Sequence, residues 1–581
     1  MLKLSRSFLL VFLFWETNFQ HCVVFAEDAK REVVYENLQK AKISDEEILN
    51  KIPEIEKVIA NGLKKIKIPG ATLAISRKDK VLYCNAFGQT AISGYQPKDA
   101  DTQTLFSVSS VSKNVTAVLV GALVDDGKIA FSDKVRKYYP EFFLCNEEVS
   151  NEFTVQDLIS HSSGLKHFSA DTLLKAGYDN EKILRAFRYL KQKPGEFRRF
   201  YGYQNVVYGI VGIVLERATG EKYEDLVQKY IFDKMGMKNS SAIRLDAETS
   251  KIGYLKYLIS RFSHDCKRIG ALRTCWHLIA ETIFHKTKKV ADIHSKYIDE
   301  VVHLEHDGFY HKFPATSGIS LSAEDFAKWL KMLANQGTYD GVQIVSKKTF
   351  AKLISNIVTV KGIKDHDVTF VKSRYPREDM HYGMGFFNAQ YADDGENPHR
   401  IFFHMGGIRG STAFFALSLE DDIAVGVSCN LGGVAMTRFC EYAVHAVLDR
   451  IYNFSKIDWV EEDIKSINYY REKNTNYIEN IVKRTPIAMS EPSKYAGTYT
   501  SELYGDITIS LERGELVISN GIRKAKLSNV NGDTFSFKSM DLLYSFYEQD
   551  EYIYFIRDEY GNITSCETPC FNENNTIFKK K

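Results

Sequence analysis

The protein has 581 residues, with 76 basic and 74 acidic side chains, so its formal net charge at neutral pH is only +2. This near-balance argues against a basic nucleic-acid surface, and no nucleic-acid partner is expected. The composition is 44% hydrophobic and 26% charged with only 11 prolines, which excludes the disordered, fibrous and polytopic membrane classes. A folded protein of enzyme size remains, with room for more than one domain.

The N-terminus has the pattern of a secretory signal peptide. Lys3 and Arg6 precede the apolar run of residues 8–15, which is too short to span a bilayer, for which roughly 20 helical residues are needed. The sequence Val-Phe-Ala at 24–26 then places small residues before a cleavage point. We therefore expect residues 1–26 to be removed and the mature protein to be secreted or periplasmic. The alternative is a buried N-terminal helix, which the polar residues after the apolar run disfavour.

In chain order, apolar residues first recur at helical spacing from Asp45 to about Lys65, which predicts one amphipathic helix. Two short strand-like runs follow. From Ser110 the pattern predicts a helix with one deeply buried side, which ends at Gly127. Further helices are expected at 154–160, 204–217 and 322–334, and strand-like runs return at 401–404, 412–417 and 423–428. Strands thus lie early and late in the sequence, with helices between them.

The segment of residues 251–289 is rich in both basic and apolar side chains. One interpretation is an element that contacts a membrane surface or covers a cleft. The other is an inserted helical pair that packs on its own domain, and this second interpretation is favoured. Peripheral membrane contact through residues 251–289 stays open as the alternative.

A domain boundary is predicted within residues 456–493, which read as a helix followed by a linker that contains Pro486 and Pro492. After it, short alternating runs are divided by turn residues such as Asn520-Gly521. Seven or eight antiparallel strands in under 100 residues predict a small β-barrel or sandwich over residues 494–581.

Cysteine and histidine patterns give no cofactor or metal site. Eight cysteines lie after the predicted cleavage point, and spacing alone does not decide how they pair in an exported chain. Cys266/Cys275 and Cys566/Cys570 are the first pairs to test. No metal-ligand spacing is present, and an irregular group of histidines is expected on the surface: His294, His303, His306 and His311. No metal and no cofactor are therefore expected.

The strongest chemical motif is Ser110-Val-Ser-Lys113 at the start of the buried helix. Residues three apart share one helix face, so the Lys113 amine can reach the Ser110 hydroxyl. A serine becomes nucleophilic when a neighbouring base takes its proton, and a lysine can be that base if burial depresses its pKa. The same spacing occurs at Ser163-Gly-Leu-Lys166, where it opens no apolar helix. By itself, therefore, the motif is more typical of a helix-capping serine beside a solvated lysine than of a nucleophile.

Two further elements change this interpretation. Tyr203 precedes Asn205 by two residues at the start of another buried helix, where a phenol can relay a proton and an amide can orient a lysine. His404 begins His-Met-Gly-Gly at the end of a strand-like run. With no side chains at Gly406 and Gly407, a substrate can lie against the strand, whose N–H groups can bind an oxyanion.

The order SxxK, YxN and [K/H]xG resembles the serine β-lactamase and penicillin-binding-protein superfamily. The likeness is greatest to class C β-lactamases, family VIII esterases, D-aminopeptidases and DD-peptidase-like hydrolases. It implies an α+β fold over residues 45–455, in which an antiparallel sheet is flanked by helices and joined by a helical subdomain. The C-terminal region is similar to the lipocalin-like β domain that often follows such hydrolases.

The resemblance also implies a role for each motif residue. Ser110 would be the acylated nucleophile and Lys113 its base, sharing protons with Tyr203, which would protonate the leaving group. Asn205 would hold Lys113 and the substrate amide. The N–H groups of Ser110 and Gly407 would form the oxyanion hole beside Gly406, and His404 would stand where relatives carry a lysine that contacts a substrate carboxylate.

Two departures from the family pattern bear on the substrate. Histidine ordinarily titrates near 6.5, so carboxylate binding by His404 should weaken above neutrality. Met405 cannot donate a hydrogen bond from its side chain. Both changes favour esters or peptides over carboxylated β-lactams. The expected protein is an exported serine hydrolase for ester or amide substrates, and the alternative is a catalytically silent ligand-binding relative of penicillin-binding proteins.

Overall fold

The computed structural model of the chain describes residues 43–243, 245–249, 251–269, 271–297, 300–304, 312–360, 374–375, 380–432, 437–482, 488–522, 524–537, 551–568 and 577–581. The predicted signal peptide, residues 1–26, lies outside the described residues, as do Cys570, His306 and His311. Among the helices in the described ranges, none is long and apolar enough to cross a membrane.

Strands before residue 430 are numbered in chain order: β1 Gly70–Arg77, β2 Val81–Gly88, β3 Phe106–Ser107, β4 Ser240–Ser241, β5 Ile293–Tyr297, β6 Glu300–Leu304, β7 Ser320–Leu321, β8 Thr338–Tyr339, β9 Val342–Gln343, β10 Val358–Thr359, β11 His381–Tyr382, β12 Phe387–Asp393, β13 Glu396–Ile408, β14 Ser411–Ser418 and β15 Ile423–Cys429. Eight of them form one antiparallel sheet in the order β10-β11-β12-β13-β14-β15-β1-β2. Its early and late strands meet where Ala71 pairs with Cys429. Strands from both ends of the sequence therefore build one sheet.

The helices are numbered in the same way: α1 Asp45–Leu49, α2 Ile52–Ile66, α3 Ser112–Asp125, α4 Val135–Tyr138, α5 Glu147–Glu152, α6 Val155–Ile159, α7 Asp171–Lys175, α8 Asn180–Ala186, α9 Asn205–Thr219, α10 Tyr223–Val227, α11 Asp233–Met235, α12 Leu245–Glu248, α13 Lys251–Ile269, α14 Ala271–Phe284, α15 Pro314–Ser317, α16 Ala323–Ala334, α17 Lys347–Ile354, α18 Phe439–Ile451 and α19 Trp459–Val482. On one face of the sheet α16 packs against β1, β2 and β15. On the other face α18 packs against β14 and β15 and also contacts α2. The central strands β14 and β15 are buried along their whole length. The sheet is covered by helices, and most of the other helices lie in sequence between β2 and β12, which confirms the predicted α+β class.

Two local predictions need correction. The single helix expected from Asp45 to about Lys65 is divided into α1 and α2, because Pro53 at the start of α2 has no N–H to continue the bonding of α1. The buried helix expected from Ser110 begins instead with a 3-10 turn, Ser109–Val111, and α3 follows from Ser112.

The segment 251–289 contains the paired helices α13 and α14, which pack against each other. Arg261 of α13 donates to the Asp225 carboxylate of α10, with 2.9 Å between Nη1 and Oδ1. The pair is therefore attached to the helical part of its own domain. Its outer surface carries exposed apolar side chains: Ile252, Ile259, Phe262 and Ile279.

The C-terminal strands are β16 Gly497–Ser501, β17 Gly505–Glu512, β18 Glu515–Ser519, β19 Lys524–Asn531, β20 Thr534–Phe537, β21 Glu551–Arg557, β22 Ile563–Glu567 and β23 Ile577–Lys580. They form a closed barrel, in which β23 returns to pair with β16. Aromatic side chains fill its interior, including Tyr495 against Phe535 and Phe555. The predicted small all-β barrel is confirmed.

Two expectations about cysteine and histidine are not met. Cys266 and Cys275 are both free thiols, so the first predicted pair is not formed, and Cys566 is also free. His294, expected on the surface, is fully buried with its Nδ1 3.1 Å from the carbonyl oxygen of Asn430. The burial follows from β5, which brings His294 next to the segment that leaves β15.

Candidate active site

The site is built around the 3-10 turn that carries Ser110. Ser109 has a φ of +51°, a left-handed conformation that is uncommon for a residue with a side chain. Its hydroxyl lies 2.9 Å from the Ser411 hydroxyl at the start of β14, while Ser112 donates to the Ser109 carbonyl at 2.6 Å. These bonds hold the turn between the sheet and α3, with Ser110 at 7% exposure.

Lys113 lies one turn further along, and its side chain is fully buried. Its Nζ is 3.2 Å from Ser110 Oγ, 2.7 Å from Asn205 Oδ1 and 3.2 Å from the Thr316 carbonyl oxygen. Burial lowers the pKa of Lys113 to about 7, and the negative charge of Asp171 opposes part of this fall. An amine with this pKa is substantially uncharged near neutrality and is in contact with the serine hydroxyl.

Tyr203 and Asn205 come from the segment that enters α9. The Lys113 Nζ lies 4.8 Å from the centre of the Tyr203 ring. Burial raises the pKa of Tyr203 well above its ordinary value, and a hydrogen bond with Ser110 opposes part of that rise. The phenol therefore keeps its proton across the neutral range. The structure thus brings Ser110, Lys113, Tyr203 and Asn205 into one cluster.

The end of β13 forms the other side of the cluster. Phe403 is the last residue of β13 paired with β12, whereas residues 404–408 continue to pair with β14. A Cβ on Gly406 would lie 2.4 Å from the Val108 carbonyl oxygen and 3.0 Å from the Ser110 nitrogen. Gly406 is thus needed because the serine turn approaches the strand so closely. This reason differs from the predicted one, which was contact with the substrate. Gly407 follows it and is half-buried.

His404 differs most from the prediction. It is fully buried, and its Nδ1 lies 2.7 Å from the Met405 carbonyl oxygen, which can only accept, so Nδ1 carries the hydrogen. Nε2 then accepts from the Tyr382 hydroxyl at 3.2 Å. Burial, together with the Lys113 charge, lowers the pKa of His404 to about 3. The expected titration near 6.5 is therefore wrong, and His404 has no positive charge with which to bind a carboxylate near neutrality.

Two residues of the site lie outside the three predicted motifs. Asp171, at the start of α7, accepts from Asn205 Nδ2 at 2.6 Å. His161, in a left-handed conformation with φ +54°, packs its ring 4.5 Å from that of Tyr203 and 5.2 Å from that of Tyr382. Asp171 lies 34 residues before Asn205 in sequence, and only the fold brings the two together.

The cluster has the functional groups for acyl transfer. It contains a hydroxyl, a buried amine, a protonated phenol and backbone N–H groups beside a strand end. Among the described residues, no group of three or more His, Cys, Asp or Glu side chains is arranged to hold a metal ion.

Comparison with known proteins agrees with the fold. "Esterase EstB" of Burkholderia gladioli is 26% identical over 212 residues, which is 34% of this chain and 54% of that protein. "Protein flp" of Staphylococcus aureus (strain MW2) is 24% identical over 196 residues, 32% of this chain and 38% of that protein. The matches thus span less than two thirds of either relative.

Among solved structures, the octameric penicillin-binding protein homologue from Pyrococcus abyssi superposes with a TM-score of 0.51 at 19% identity. The superposition covers 91% of this chain and 100% of that one, which shows a shared fold. Residues 483–580 match a family model described as a domain of unknown function (DUF3471). Residues 55–448 match the family model described as Beta-lactamase, and the chain therefore belongs to the beta-lactamase family.

Proposed function

We propose that the protein is a serine hydrolase that transfers an acyl group from an ester or amide to Ser110 and then to water. The observation that carries this proposal is the contact between a fully buried Lys113 amine and the Ser110 hydroxyl, at 3.2 Å. Burial disfavours the ammonium form, so the amine is available as a base where an exposed lysine would be protonated.

In the acylation step, Lys113 Nζ takes the hydroxyl proton as Ser110 Oγ forms a bond to the substrate carbonyl carbon. The N–H groups of Ser110 and Gly407 would donate to the oxyanion, at the part of β13 that pairs with β14. The bond to the leaving group then breaks, and Tyr203, which keeps its proton, donates it to the leaving oxygen or nitrogen. The proton held by Lys113 replaces the one that Tyr203 has given. Water repeats the sequence on the acyl-enzyme and releases the acid.

Asn205 is placed to orient the base. Its Oδ1 accepts from Lys113 at 2.7 Å and its Nδ2 donates to Asp171 at 2.6 Å. The lysine is thus directed at Ser110, and one hydrogen of Nδ2 is left for a substrate carbonyl group.

The environment of His404 favours substrates without a carboxylate at that position. A lysine there would offer a charge, but His404 is buried, neutral and hydrogen-bonded at both ring nitrogens. Esters and uncharged amides fit this site better than carboxylated β-lactams. One similar protein is named an esterase, and another, "Unguisins hydrolase ungD" of Aspergillus violaceofuscus, is 26% identical over 195 residues, 32% of this chain and 34% of that protein.

Covalent labelling tests the proposed function directly. Incubation with p-nitrophenyl acetate or a fluorophosphonate probe should add one acyl or phosphonyl group, and peptide mapping should find it on Ser110. The proposal is overturned if the group is found elsewhere. Absence of labelling together with retained ligand binding would instead establish the catalytically silent alternative.

Export through residues 1–26 remains part of the proposal and rests on the basic, apolar and small-residue pattern of that segment. N-terminal sequencing of the protein from culture medium or periplasm should begin near Glu27. Recovery of the protein with its first residues intact from the cytoplasm would contradict export.

Peripheral membrane contact is a second proposal, on the outer face of α13 and α14. Ile252, Ile259 and Ile279 are 70%, 56% and 49% exposed there, and Lys256 and Arg273 are also exposed. An apolar face among basic side chains fits an anionic lipid surface. The protein should sediment with phosphatidylglycerol vesicles but not with phosphatidylcholine vesicles, and I252N/I259N should not sediment with either. Equal recovery of the wild-type protein in both supernatants would contradict this proposal.

A further inference from the structure

The C-terminal barrel contacts the short helix that begins with Asp171. Tyr504 lies in the turn between β16 and β17 and is fully buried. Its hydroxyl is 2.5 Å from the Thr172 hydroxyl of α7, and its carbonyl accepts from the Tyr178 hydroxyl at 2.7 Å. Asn520, also in the barrel, donates to the Ala176 carbonyl at 2.9 Å. Three hydrogen bonds therefore join the barrel to residues 172–178.

The other end of this segment reaches the candidate active site. The Asp171 carboxylate accepts from Asn205 Nδ2 at 2.6 Å and from the Asn205 backbone nitrogen at 3.3 Å. The approach to α7 is fixed as well, because Phe168 donates its backbone N–H to the Tyr203 carbonyl at 2.6 Å. Asp171 is thus next in sequence to Thr172, which contacts the barrel. Asp171 also binds Asn205, which in turn contacts Lys113.

An ionised carboxylate can only accept hydrogen bonds. Asp171 therefore requires the amide nitrogen of Asn205 to face it, which leaves Oδ1 directed at Lys113. With the opposite amide orientation, the Nδ2 hydrogens of Asn205 would face the hydrogens of Lys113 Nζ, and no hydrogen bond would form between them. Asp171 also acts through its charge, which raises the pKa of Lys113 against the effect of burial. The position of Asp171 thus affects the direction of the Lys113 side chain, through Asn205, and the pKa of Lys113, through its charge.

We propose that Asp171 is a positioning residue for the Ser110–Lys113 pair and that the barrel, through Tyr504, holds it in place. The inference rests on the proposed function, since its readout is acylation of Ser110. It assigns the barrel a part in the reaction, although the barrel supplies no group to the reacting atoms.

The test compares variants of the full chain by their rate of Ser110 labelling with a fluorophosphonate across the pH range. D171N should label about 10- to 100-fold more slowly, because a small displacement of a reacting pair has this effect. The acidic limb of its plot of labelling rate against pH should move to lower pH, because the lost negative charge no longer raises the pKa of Lys113. Y504F should lower the rate by about 2- to 10-fold, the ratio expected for one lost hydrogen bond, and shift the limb in the same direction.

Tyr499 provides a matched control within the barrel. It is also fully buried, and its hydroxyl donates to the Tyr495 carbonyl at 2.8 Å. Y499F should keep the wild-type rate and pH profile. The inference is overturned if Y504F labels as the wild type does, or if Y499F changes the profile as much as Y504F. If Y504F does not fold, T172V removes the same contact from the hydrolase side, and an unchanged profile in T172V would equally overturn it.

The proposed function can fail separately. In that case the wild-type protein itself would not be labelled at Ser110, and the inference would fail with it. Labelling of the wild type at Ser110 with unchanged Y504F and T172V profiles would overturn the inference alone.

Discussion

Two serine–lysine pairs with the same spacing meet very different surroundings in this protein. Ser110 and Lys113 follow one another through a 3-10 turn into α3, and Lys113 is fully buried. Ser163 is also buried, but Gly164 has a φ of +76° and turns the chain, so Lys166 points to solvent and is exposed. The Ser163 hydroxyl donates to Gln204 Oε1 and accepts from the Leu165 N–H, each at 3.1 Å.

The difference shows that spacing alone does not make a nucleophile. A serine three residues before a lysine contacts it only where the backbone stays helical, and the lysine is a base near neutrality only where it is desolvated. At the second motif the hydroxyl is used to hold a turn. The first two predictions below compare the two pairs, and the third tests the buried base of the first pair.

The largest effect is expected from removing the two hydroxyls in turn. S110A should lower p-nitrophenyl acetate hydrolysis by at least about 10³-fold, since it removes the atom that is acylated. S163A should stay within about threefold of the wild type, because it loses only hydrogen bonds of a turn. Initial rates and thermal unfolding of both variants provide the measurement. Comparable losses of activity in both variants would contradict the assignment of Ser110 as the nucleophile.

Removal of the two amines should have the next largest effect. K113M keeps an apolar chain of similar length but no base, and a loss of about 10²- to 10⁴-fold in kcat is expected for a general base. K166M, at an exposed position, should leave kcat and KM unchanged within experimental error. Steady-state kinetics at pH 8 would check both. Retained turnover in K113M would show that another group takes the serine proton.

The pH dependence should sharpen the comparison further. Burial lowers the pKa of Lys113 to about 7, so below that pH the amine is protonated and cannot take the serine proton. We expect kcat/KM to fall by roughly 50-fold between pH 7 and 5, with a limiting slope of about tenfold per pH unit. H404Q should keep this limb, because His404 is neutral throughout that range. A profile that is flat from pH 5 to 8 would contradict a buried base at Lys113.

Much of the candidate site could be predicted because its parts are local. Ser110 and Lys113 are one turn apart, and Tyr203 and Asn205 flank the start of one helix, so short-range spacing together with the family resemblance identifies them. The α+β class could be predicted for the same reason, since strand and helix patterns are read within windows of a few residues.

The errors arise where burial depends on distant parts of the chain. The expected titration of His404 near 6.5 is wrong because Tyr382 and Phe387, which are distant in sequence, pack against its ring and bury it. Asp171 lies 34 residues before its partner Asn205, and no local pattern connects them. The function of Gly406 was likewise assigned to substrate contact, because the approach of the Val108 carbonyl is a property of the fold alone.

Closure of the C-terminal barrel restricts how anything can attach to it. Because β16 pairs with both β17 and β23, its described strands leave no open rim of unpaired backbone groups. An exposed strand edge is the usual template onto which another polypeptide adds as an extra strand, or along which copies of one protein aggregate into fibrils. Any molecule that binds this barrel must therefore recognise its side chains and loop tips.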